Sequence, residues 1–309
     1  MRFSRISKRF AAVWLLALSP WLASSAAAFT VFACEPEWAA LTRLLLPVAR
    51  VHVATHAGQD PHHIEARPAL IAQLRSADLA ICTGASLESG WLPTLQERAG
   101  NARTRDVFFA ADHVALIDPQ PGLIGTPWAG DVHAEGNPHV HAHPRNLMDV
   151  AQALSQRLGQ ALPAEQAAIE QRRAAFEIRW RQRITEWERR AVPLRGQQVA
   201  AQHSSFGYLW QWLGIKQVAD LEPRPGMSPT PGHLQRLLEG LRAKPPMAVV
   251  ISGYQDPRAA RWLTGQLGVV GAKVPVVVLP ATVPEEAAER ELVQWFDGLL
   301  NELLQAVKR

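Results

Sequence analysis

The chain has 309 residues and a formal net charge of +4. Its length exceeds that of most single domains and indicates two lobes. Four of the positive charges (Arg2, Arg5, Lys8 and Arg9) lie in the first ten residues, so the remainder is neutral overall (+4 − 4 = 0). A neutral chain has no electrostatic basis for binding nucleic acid, and we exclude that class of function.

Residues 1–28 have the order of a secretory signal peptide. A basic segment is followed by the apolar run AAVWLLALSPWLA and then by SSAAA, with cleavage expected after Ala28. A membrane anchor is disfavoured because the run is too short to span a bilayer and contains Pro20. A lipoprotein signal ending at Cys34 is also disfavoured, because Phe32 is bulky and the better cleavage site precedes it. We expect a soluble, exported protein.

After the leader, short apolar stretches alternate with amphipathic ones. This alternation is typical of a parallel sheet covered by helices, and it predicts an N-terminal α/β lobe over residues 29–145. The predicted strands are TVFACE, RVHVAT, ADLAICTG and DVFFAAD, and the predicted helices are EPEWAALTRLLLPVA and PALIAQLRSA.

Residues 146–192 are predicted to be connecting helices. NLMDVAQALSQRLGQA has a helical pattern, and the following segment up to Val192 contains no glycine and only Pro163. Most of that segment should therefore form one long helix, with Trp180 and Trp187 on its packed side. A coiled coil is disfavoured because no heptad repeat is sustained.

The alternation resumes in a C-terminal α/β lobe over residues 193–309. The fold class is therefore α/β, with two lobes that each contain a parallel sheet and flanking helices, joined by a long connecting helix. Ligands of such sheets bind beyond the carboxyl ends of the strands, which predicts a site in the cleft between the lobes. The predicted strands are QQVAAQ, QVADLE, MAVVISG and VPVVVLP, and the predicted helices are FGYLWQWLG, PGHLQRLLEGLRAK, PRAARWLTGQLG and residues 285–307.

The chain has two cysteines, Cys34 and Cys82, each at the end of a predicted strand of the first lobe. The first and third strands of a doubly wound sheet are neighbours, so these ends should lie side by side. In an oxidising compartment the pair predicts a disulfide bond, and the alternative is two free thiols.

Three histidines from well-separated segments lie where a strand has ended or in the connection beyond it. They are His62 in GQDPHHIEARP, His139 in GNPHVHAHPRN and His203 in AQHSSFGY. Three segments that each bring one histidine commonly build a zinc site. The chain has eleven histidines, and several others are expected at the surface or in ordinary hydrogen bonds, namely His52, His56, His113 and His233.

The clustered histidines allow other interpretations. The run from His133 to His143 is compatible with a loose chelating tract of low affinity. It is also compatible with the H-x-H motif of metal-dependent hydrolases. A hydrolase of that kind needs an aspartate close by, and residues 132–148 contain none, so the hydrolase ranks second.

Five motifs in this order resemble the periplasmic metal-binding receptors of ABC transporters, of the zinc and manganese uptake class. The resemblance extends over nearly all of the chain after the leader. It implies two α/β lobes bridged by a long, stiff helix, and metal binding by His62, His139 and His203. The motifs are QDPHHIEARP, LAICTGASLESGWLP, GNPHVHAHPRN, AQHSSFGYLWQWLG and VPVVVLP.

The N-P-H pattern of this family selects His139 and leaves His141 and His143 outside the core site. Pro144 suits the first turn of a helix, so His143 should be its N-cap. A shallow second metal site formed by His133 and His141 at the mouth of the cleft stays an open alternative.

The chain departs from the family pattern in two places. The acidic ligand expected after the last strand is absent, because that loop reads LPATVPEEA with Pro280 and Ala281 at the expected position. Glu222, Asp256 or a water molecule is left to fill the fourth position, and Glu222 is our candidate. The long His- and acid-rich loop of zinc-binding members is reduced to GDVHAEG.

The resemblance implies a monomeric, non-enzymatic receptor that binds Zn²⁺ in the periplasm and delivers it to the permease of an ABC transporter in the inner membrane. Zinc is expected rather than manganese, because Mn²⁺ favours carboxylate oxygens. The resemblance implies two acidic ligands in the manganese receptors of this family, and this chain has His203 and Pro280 at those two positions. Two alternatives remain. A secreted zinc-dependent hydrolase shares the pattern of three histidines and an open position, and a periplasmic zinc buffer or metallochaperone would need no transporter.

Overall fold

The computed structural model describes residues 28–120, 131, 133–269, 271 and 273–308. The signal-peptide prediction falls on residues 1–28, which lie outside the described part except for Ala28, and it stays a prediction. Among the described residues, no helix has both the length and the apolar character needed to cross a membrane.

Each lobe contains one parallel sheet of four strands, which confirms the predicted fold class. The strand order is β2-β1-β3-β4 in the first lobe and β6-β5-β7-β8 in the second, so the two lobes share one topology. The first sheet consists of β1 (Thr30–Ala33), β2 (Arg50–Val53), β3 (Leu79–Cys82) and β4 (Phe108–Phe109). The second consists of β5 (Gln198–Ala201), β6 (Lys216–Asp220), β7 (Ala248–Ser252) and β8 (Val276–Leu279).

Helices flank the two sheets and connect the lobes. Those of the first lobe are α1 (Pro36–Leu45), α2 (Pro68–Ser76) and α3 (Leu92–Ala99). The connecting helices are α4 (Pro144–Ala161) and α5 (Gln166–Arg190), and those of the second lobe are α6 (Gly207–Leu213), α7 (Pro231–Leu241), α8 (Arg258–Val269) and α9 (Glu289–Val307). Helix α3, which is only eight residues long and begins next to Pro93, was not predicted from the sequence.

The long helix α5 has 25 residues, which corresponds to about 37 Å at 1.5 Å per residue. Trp180 and Trp187 are fully buried on its inner face, as the sequence predicted. The indole of Trp180 donates to the carbonyl of Pro144 at 2.8 Å, and that of Trp187 donates to Asp297 at 3.0 Å. These contacts attach α5 both to the start of α4 and to α9 in the second lobe.

Alternating residues of the inner strands face two different apolar clusters. Val31 and Ala33 of β1 contact a central cluster that includes both lobes and the connecting helices, whereas Phe32 packs into a separate cluster under α2 and α3. Strand β5 repeats this pattern, with Val199 facing the central cluster and Ala200 the cluster of the second lobe. The sheets are thus covered on both faces, as parallel sheets require.

The register of β1 against β3 explains the disulfide. Ala33 pairs with Ile81, so Cys34 and Cys82 follow side by side. They are bonded, with a Cα–Cα distance of 4.7 Å, and the prediction is confirmed. Because each sulfur is bonded to the other, neither is available as a thiolate ligand.

Candidate metal centre

His62 lies in the loop after β2 and is held there by Asp60. One carboxylate oxygen of Asp60 accepts a hydrogen bond from the backbone N–H of His62 at 3.0 Å. The same oxygen lies 2.7 Å from ring Nδ1 of His62. A carboxylate only accepts hydrogen bonds when ionised, so Nδ1 carries the proton and the lone pair of Nε2 points away from Asp60. Asp60 therefore positions both the backbone and the ring.

His139 lies in the connection that precedes α4, and Asn137 fixes its backbone. The side-chain oxygen of Asn137 accepts from the backbone N–H of His139 at 2.9 Å. Its amide nitrogen donates to the carbonyl of Ser204 at 2.8 Å. A Cβ atom at Gly207 would lie only 2.8 Å from that nitrogen, so the glycine makes room for this contact. One asparagine thus connects the His139 segment with the loop that carries His203.

His203 follows β5 directly and has a left-handed backbone conformation, with φ of +68°. Its backbone N–H donates to Asp220 at 3.1 Å, and its ring Nδ1 lies 3.0 Å from Oε2 of Glu222. Non-glycine residues rarely adopt positive φ values, and the strained positions that persist tend to occur at functional sites. The contacts to the two carboxylates hold His203 in this conformation.

The structure brings the three histidines together in the cleft. Each offers a ligand atom, and these atoms lie within 4.8 Å of one another. The exposed fractions of His62, His139 and His203 are 5%, 3% and 3%. Among the described residues, Nε2 of His139 and Nε2 of His203 have no hydrogen-bond partner. A buried polar atom without a partner costs free energy, and a bound cation would remove that cost at both positions.

The protonation of these rings differs with their surroundings. Burial is the main cause that lowers the pKa of His139 well below its ordinary value, and the neighbouring histidines add to it. Burial also opposes the charged form of His203, but the carboxylates of Glu222 and Asp220 outweigh it and raise the pKa of His203. Neutral imidazole is the form that binds metal.

The other clustered histidines occupy three different environments. Nε2 of His133 lies 3.1 Å from Nε2 of His62. His141 is buried between the lobes, where it donates to the carbonyl of Ala281 at 2.9 Å and lies 3.1 Å from Glu37. His143 is the N-cap of α4, as predicted, and its Nδ1 accepts from the backbone N–H of the residue two positions later. His133 and His141 therefore have separate partners, and both are buried.

The two side chains proposed for the fourth position, Glu222 and Asp256, are placed differently. Glu222 touches Nδ1 of His203, and it also accepts from the backbone N–H of Gly226 at 2.9 Å. Asp256 is exposed and pairs with Arg258. At Pro280, where the acidic ligand of the family is missing, the backbone carbonyl accepts a hydrogen bond from the indole of Trp295. Glu222 thus lies behind a candidate ligand in the structure, and its assignment as a ligand stays a prediction.

The residues that hold the candidate ligands were not predicted from the sequence. Asp60, Asn137 and Asp220 each accept a hydrogen bond from the backbone N–H two positions later, at 3.0, 2.9 and 2.9 Å. This turn is typical of Asp and Asn side chains. The spacings D-x-H and N-x-H were therefore a local signal that could have identified two of them.

Two of the candidate ligands, His62 and His203, border a cleft of about 450 Å³ between the lobes. Among the described residues that line it are three carboxylates, Asp60, Asp131 and Glu222, and no lysine or arginine. A cleft lined by one sign of charge focuses the electric field and raises the local concentration of the opposite ion. This lining favours the entry of a cation.

A family model matches residues 31–306, and its description is "Zinc-uptake complex component A periplasmic" (ZnuA). The match includes most of the chain. The chain belongs to this family. Its members are the class of protein that the sequence motifs resembled, so that expectation is confirmed.

Two curated relatives come from Streptococcus pneumoniae. The chain is 24% identical over 217 residues to the manganese ABC transporter substrate-binding lipoprotein PsaA, covering 67% of this chain and 66% of that protein. It is 22% identical over 228 residues to the zinc-binding lipoprotein AdcA, covering 72% of this chain and 44% of that protein. In both, the match spans less than two thirds of the relative's length.

Among solved structures, the chain is similar to the periplasmic zinc-binding protein TroA from Treponema pallidum. The TM-score is 0.75 at 17% sequence identity, over 91% of this chain and 100% of that chain. At this identity the likeness shows a shared fold. The choice between zinc and manganese must therefore come from the residues of this chain.

Proposed function

We propose that this protein is the receptor of a metal ABC transporter, and that its cargo is Zn²⁺ bound by His62, His139 and His203. The observation that supports this is the convergence of three buried imidazoles, two of them with an Nε2 atom that lacks a partner among the described residues. Membership of the zinc-uptake family supports the same role.

The type of ligand atom favours zinc over manganese. Three imidazole nitrogens suit Zn²⁺ in a tetrahedral arrangement, whereas Mn²⁺ favours carboxylate oxygens. The two carboxylates that touch these rings, Asp60 and Glu222, lie on the Nδ1 side of His62 and His203. They therefore orient the ligand rings and increase their basicity, as carboxylates behind zinc-bound histidines do.

The proposed setting is the periplasm, after removal of residues 1–28, with a permease in the inner membrane as the partner that takes up the metal. The protein acts as a monomer, and its two lobes both contribute ligands. His62 comes from the first lobe and His203 from the second, so a change in the relative position of the lobes would open the site for release.

A zinc hydrolase is less well supported. Such an enzyme needs a general base within hydrogen-bond reach of a metal-bound water. Glu222 is the candidate from the sequence, but Oε2 of Glu222 is already bonded to His203 and to the backbone of Gly226. A zinc buffer without a transporter has the same site, and only the presence of a permease partner separates it from a receptor.

The test is a competition titration of the purified, metal-free protein with Zn²⁺ and Mn²⁺. We expect one tightly bound Zn²⁺ per chain and an affinity for Mn²⁺ lower by several orders of magnitude, since the nitrogen-rich site follows the Irving–Williams order. Comparable affinities for the two ions would contradict the zinc assignment. Retention of wild-type zinc affinity by His139→Ala would contradict the proposed ligand set.

A further inference from the structure

His133 is the histidine of the short GDVHAEG segment, and no role for it follows from the family pattern. Its exposed fraction is 8%, and its ring centroid lies 5.2 Å from that of His62. The two Nε2 atoms are 3.1 Å apart. The ring therefore faces the candidate metal centre and not the solvent.

The hydrogen bonds of the two rings define which nitrogens carry protons. Nδ1 of His133 lies 3.1 Å from the backbone carbonyl of Ala85, and Nδ1 of His62 lies 2.7 Å from Asp60. A carbonyl and an ionised carboxylate only accept hydrogen bonds, so both Nδ1 atoms are protonated. In the neutral rings, two Nε2 lone pairs then face each other.

Two lone pairs at this separation repel each other unless a cation lies between them. In a tetrahedral zinc site with Zn–N distances of about 2.0–2.1 Å, two ligand nitrogens lie roughly 3.3–3.4 Å apart. The observed 3.1 Å is close to that separation. The pair therefore has the geometry of two ligands of one metal ion.

We propose that His133 is the fourth ligand of the zinc ion and replaces the carboxylate that is missing at Pro280. This inference rests on the proposed function and deepens it, because it makes the site one of four imidazoles. The backbone around Ala85 supports the assignment. Ala85 and Ser86 have positive φ values of 48° and 67°, and this strained turn holds the carbonyl that orients His133.

The ring of His133 lies closer to that of His62 than to that of His139. Its ring centroid is 6.4 Å from that of His139, whereas the centroids of His62 and His139 are 5.5 Å apart. His133 thus lies beside His62, and further from His139 than His62 does.

Asp131 is the rival for the same position. One of its carboxylate oxygens lies within 4.8 Å of ligand atoms of Asp60 and His62. However, Asp131 also faces His63, with an Oδ1–Nε2 distance of 3.7 Å. With His133 as the fourth ligand, all four ligand atoms of the zinc ion are nitrogens. With Asp131 they are three nitrogens and one oxygen, and spectroscopy distinguishes the two sets.

The first experiment compares zinc affinities of His133→Ala and His113→Ala. His113 is an exposed histidine that stacks on Phe108, so it controls for the loss of an imidazole. Loss of an outer partner of a metal ligand typically costs 10–100-fold in affinity. Loss of a direct ligand should therefore weaken zinc binding by more than about 100-fold in His133→Ala, with no change in His113→Ala.

The second experiment counts imidazole ligands by X-ray absorption spectroscopy of the zinc-loaded full chain. We expect four in the wild type and three in His133→Ala. His133→Asp should recover part of the affinity and show three imidazoles with one oxygen. Circular dichroism and thermal unfolding of the metal-free variants check that they fold.

Three imidazoles in the wild type, or wild-type affinity in His133→Ala, would overturn the role of His133. The proposed function would survive that result, because the wild type would still bind zinc tightly. Failure of the proposed function has a different signature, in which the wild type itself shows no preference for Zn²⁺ over Mn²⁺.

Discussion

At the scale of single residues, the candidate ligands are held in place by side chains that are not themselves proposed as ligands. Asp60 accepts two hydrogen bonds from His62, one from the backbone and one from the ring. Asn137 accepts one hydrogen bond from the backbone N–H of His139. These contacts restrict the candidate ligands before any ion binds. Less conformational entropy is therefore lost when the ion binds.

Substitution Asp60→Ala should therefore weaken zinc binding by about 10–100-fold, the usual cost of removing a partner of a ligating histidine. Asp256→Ala is the matched control, since Asp256 forms the same turn with Arg258 but is exposed. Isothermal titration or a chelator competition measures both. Equal affinities of the two variants would mean that Asp60 does not orient His62.

A second residue-scale prediction concerns Glu88, which is buried beside Glu35 and accepts hydrogen bonds from the backbone of Thr83 and Gly84. Burial is the main cause that raises the pKa of Glu88 from 4.5 to about 7. Since the folded pKa lies above the unfolded one, the stabilising contribution of the neutral form is complete below about pH 4.5. It is lost as the pH rises through about 7.

Glu88→Gln should remove this dependence, because glutamine stays neutral. Relative to the wild type, the free energy of unfolding of the variant should rise by up to about 3 kcal/mol between pH 5 and 8. Urea unfolding at several pH values measures it. Glu97→Gln, at an exposed position, is the control. If the free energies of unfolding of Glu88→Gln and the wild type differed by the same amount at every pH, Glu88 would be ionised in the folded protein over this range.

At the scale of elements, helix α5 holds the two lobes through its buried aromatic face. The ring of Trp180 lies 5.1 Å from that of Phe176 and 5.7 Å from that of Phe296 in α9, measured between centroids. The exposed part of the helix carries charged residues in ion pairs, such as Arg183 with Glu186. Exposed pairs of this kind contribute little, so the apolar face accounts for most of the stability.

Trp180→Ala should lower the free energy of unfolding by about 3–5 kcal/mol, since it leaves a cavity in the central cluster. Ile178→Ala is the control on the same helix, because 63% of Ile178 is exposed and its loss should cost little. Chemical denaturation with guanidinium measures both variants. Similar losses would show that α5 is not held by its aromatic face.

We expect the disulfide to stabilise the fold of the first lobe without changing the affinity for zinc. It closes a loop with a sequence separation of 48 residues, for which the chain-entropy model gives about 4 kcal/mol of stabilisation. The double variant Cys34→Ala/Cys82→Ala should lose about that amount and keep its zinc affinity. The check is thermal unfolding of metal-free protein alongside a zinc titration. Unchanged stability would contradict the prediction.

At the scale of the whole molecule, the candidate ligands come from both lobes, so metal binding joins the lobes. Zinc should stabilise the folded chain, because it binds the native state and not the unfolded one. At a free zinc concentration of 1,000 times Kd, the gain is about 4 kcal/mol. In His203→Ala the gain should be much smaller, and differential scanning calorimetry with and without zinc measures it. An equal gain in both would place the bound ion away from the cleft.

Much of the fold could be predicted because its signals are local. Short apolar stretches within segments of six to eight residues predicted the strands of both sheets, and the long run without glycine predicted α5. The same holds for His62, His139 and His203, which lie in short motifs at or just beyond strand ends. Helix α3 escaped prediction because eight residues beside a proline carry too little periodic signal.

The contacts that complete the site could not be read from the sequence. His62 and His133 are 71 residues apart in the chain, and His133 and Ala85 are 48 apart. No periodicity or spacing relates positions so distant, since their proximity results from the order of strands in the sheet and from the packing of the lobes. The sequence by itself determined the lobes, the disulfide partners and three candidate ligands. Only the tertiary structure decided which carboxylates hold those rings and which fourth imidazole faces them, because these depend on directions of side chains in space.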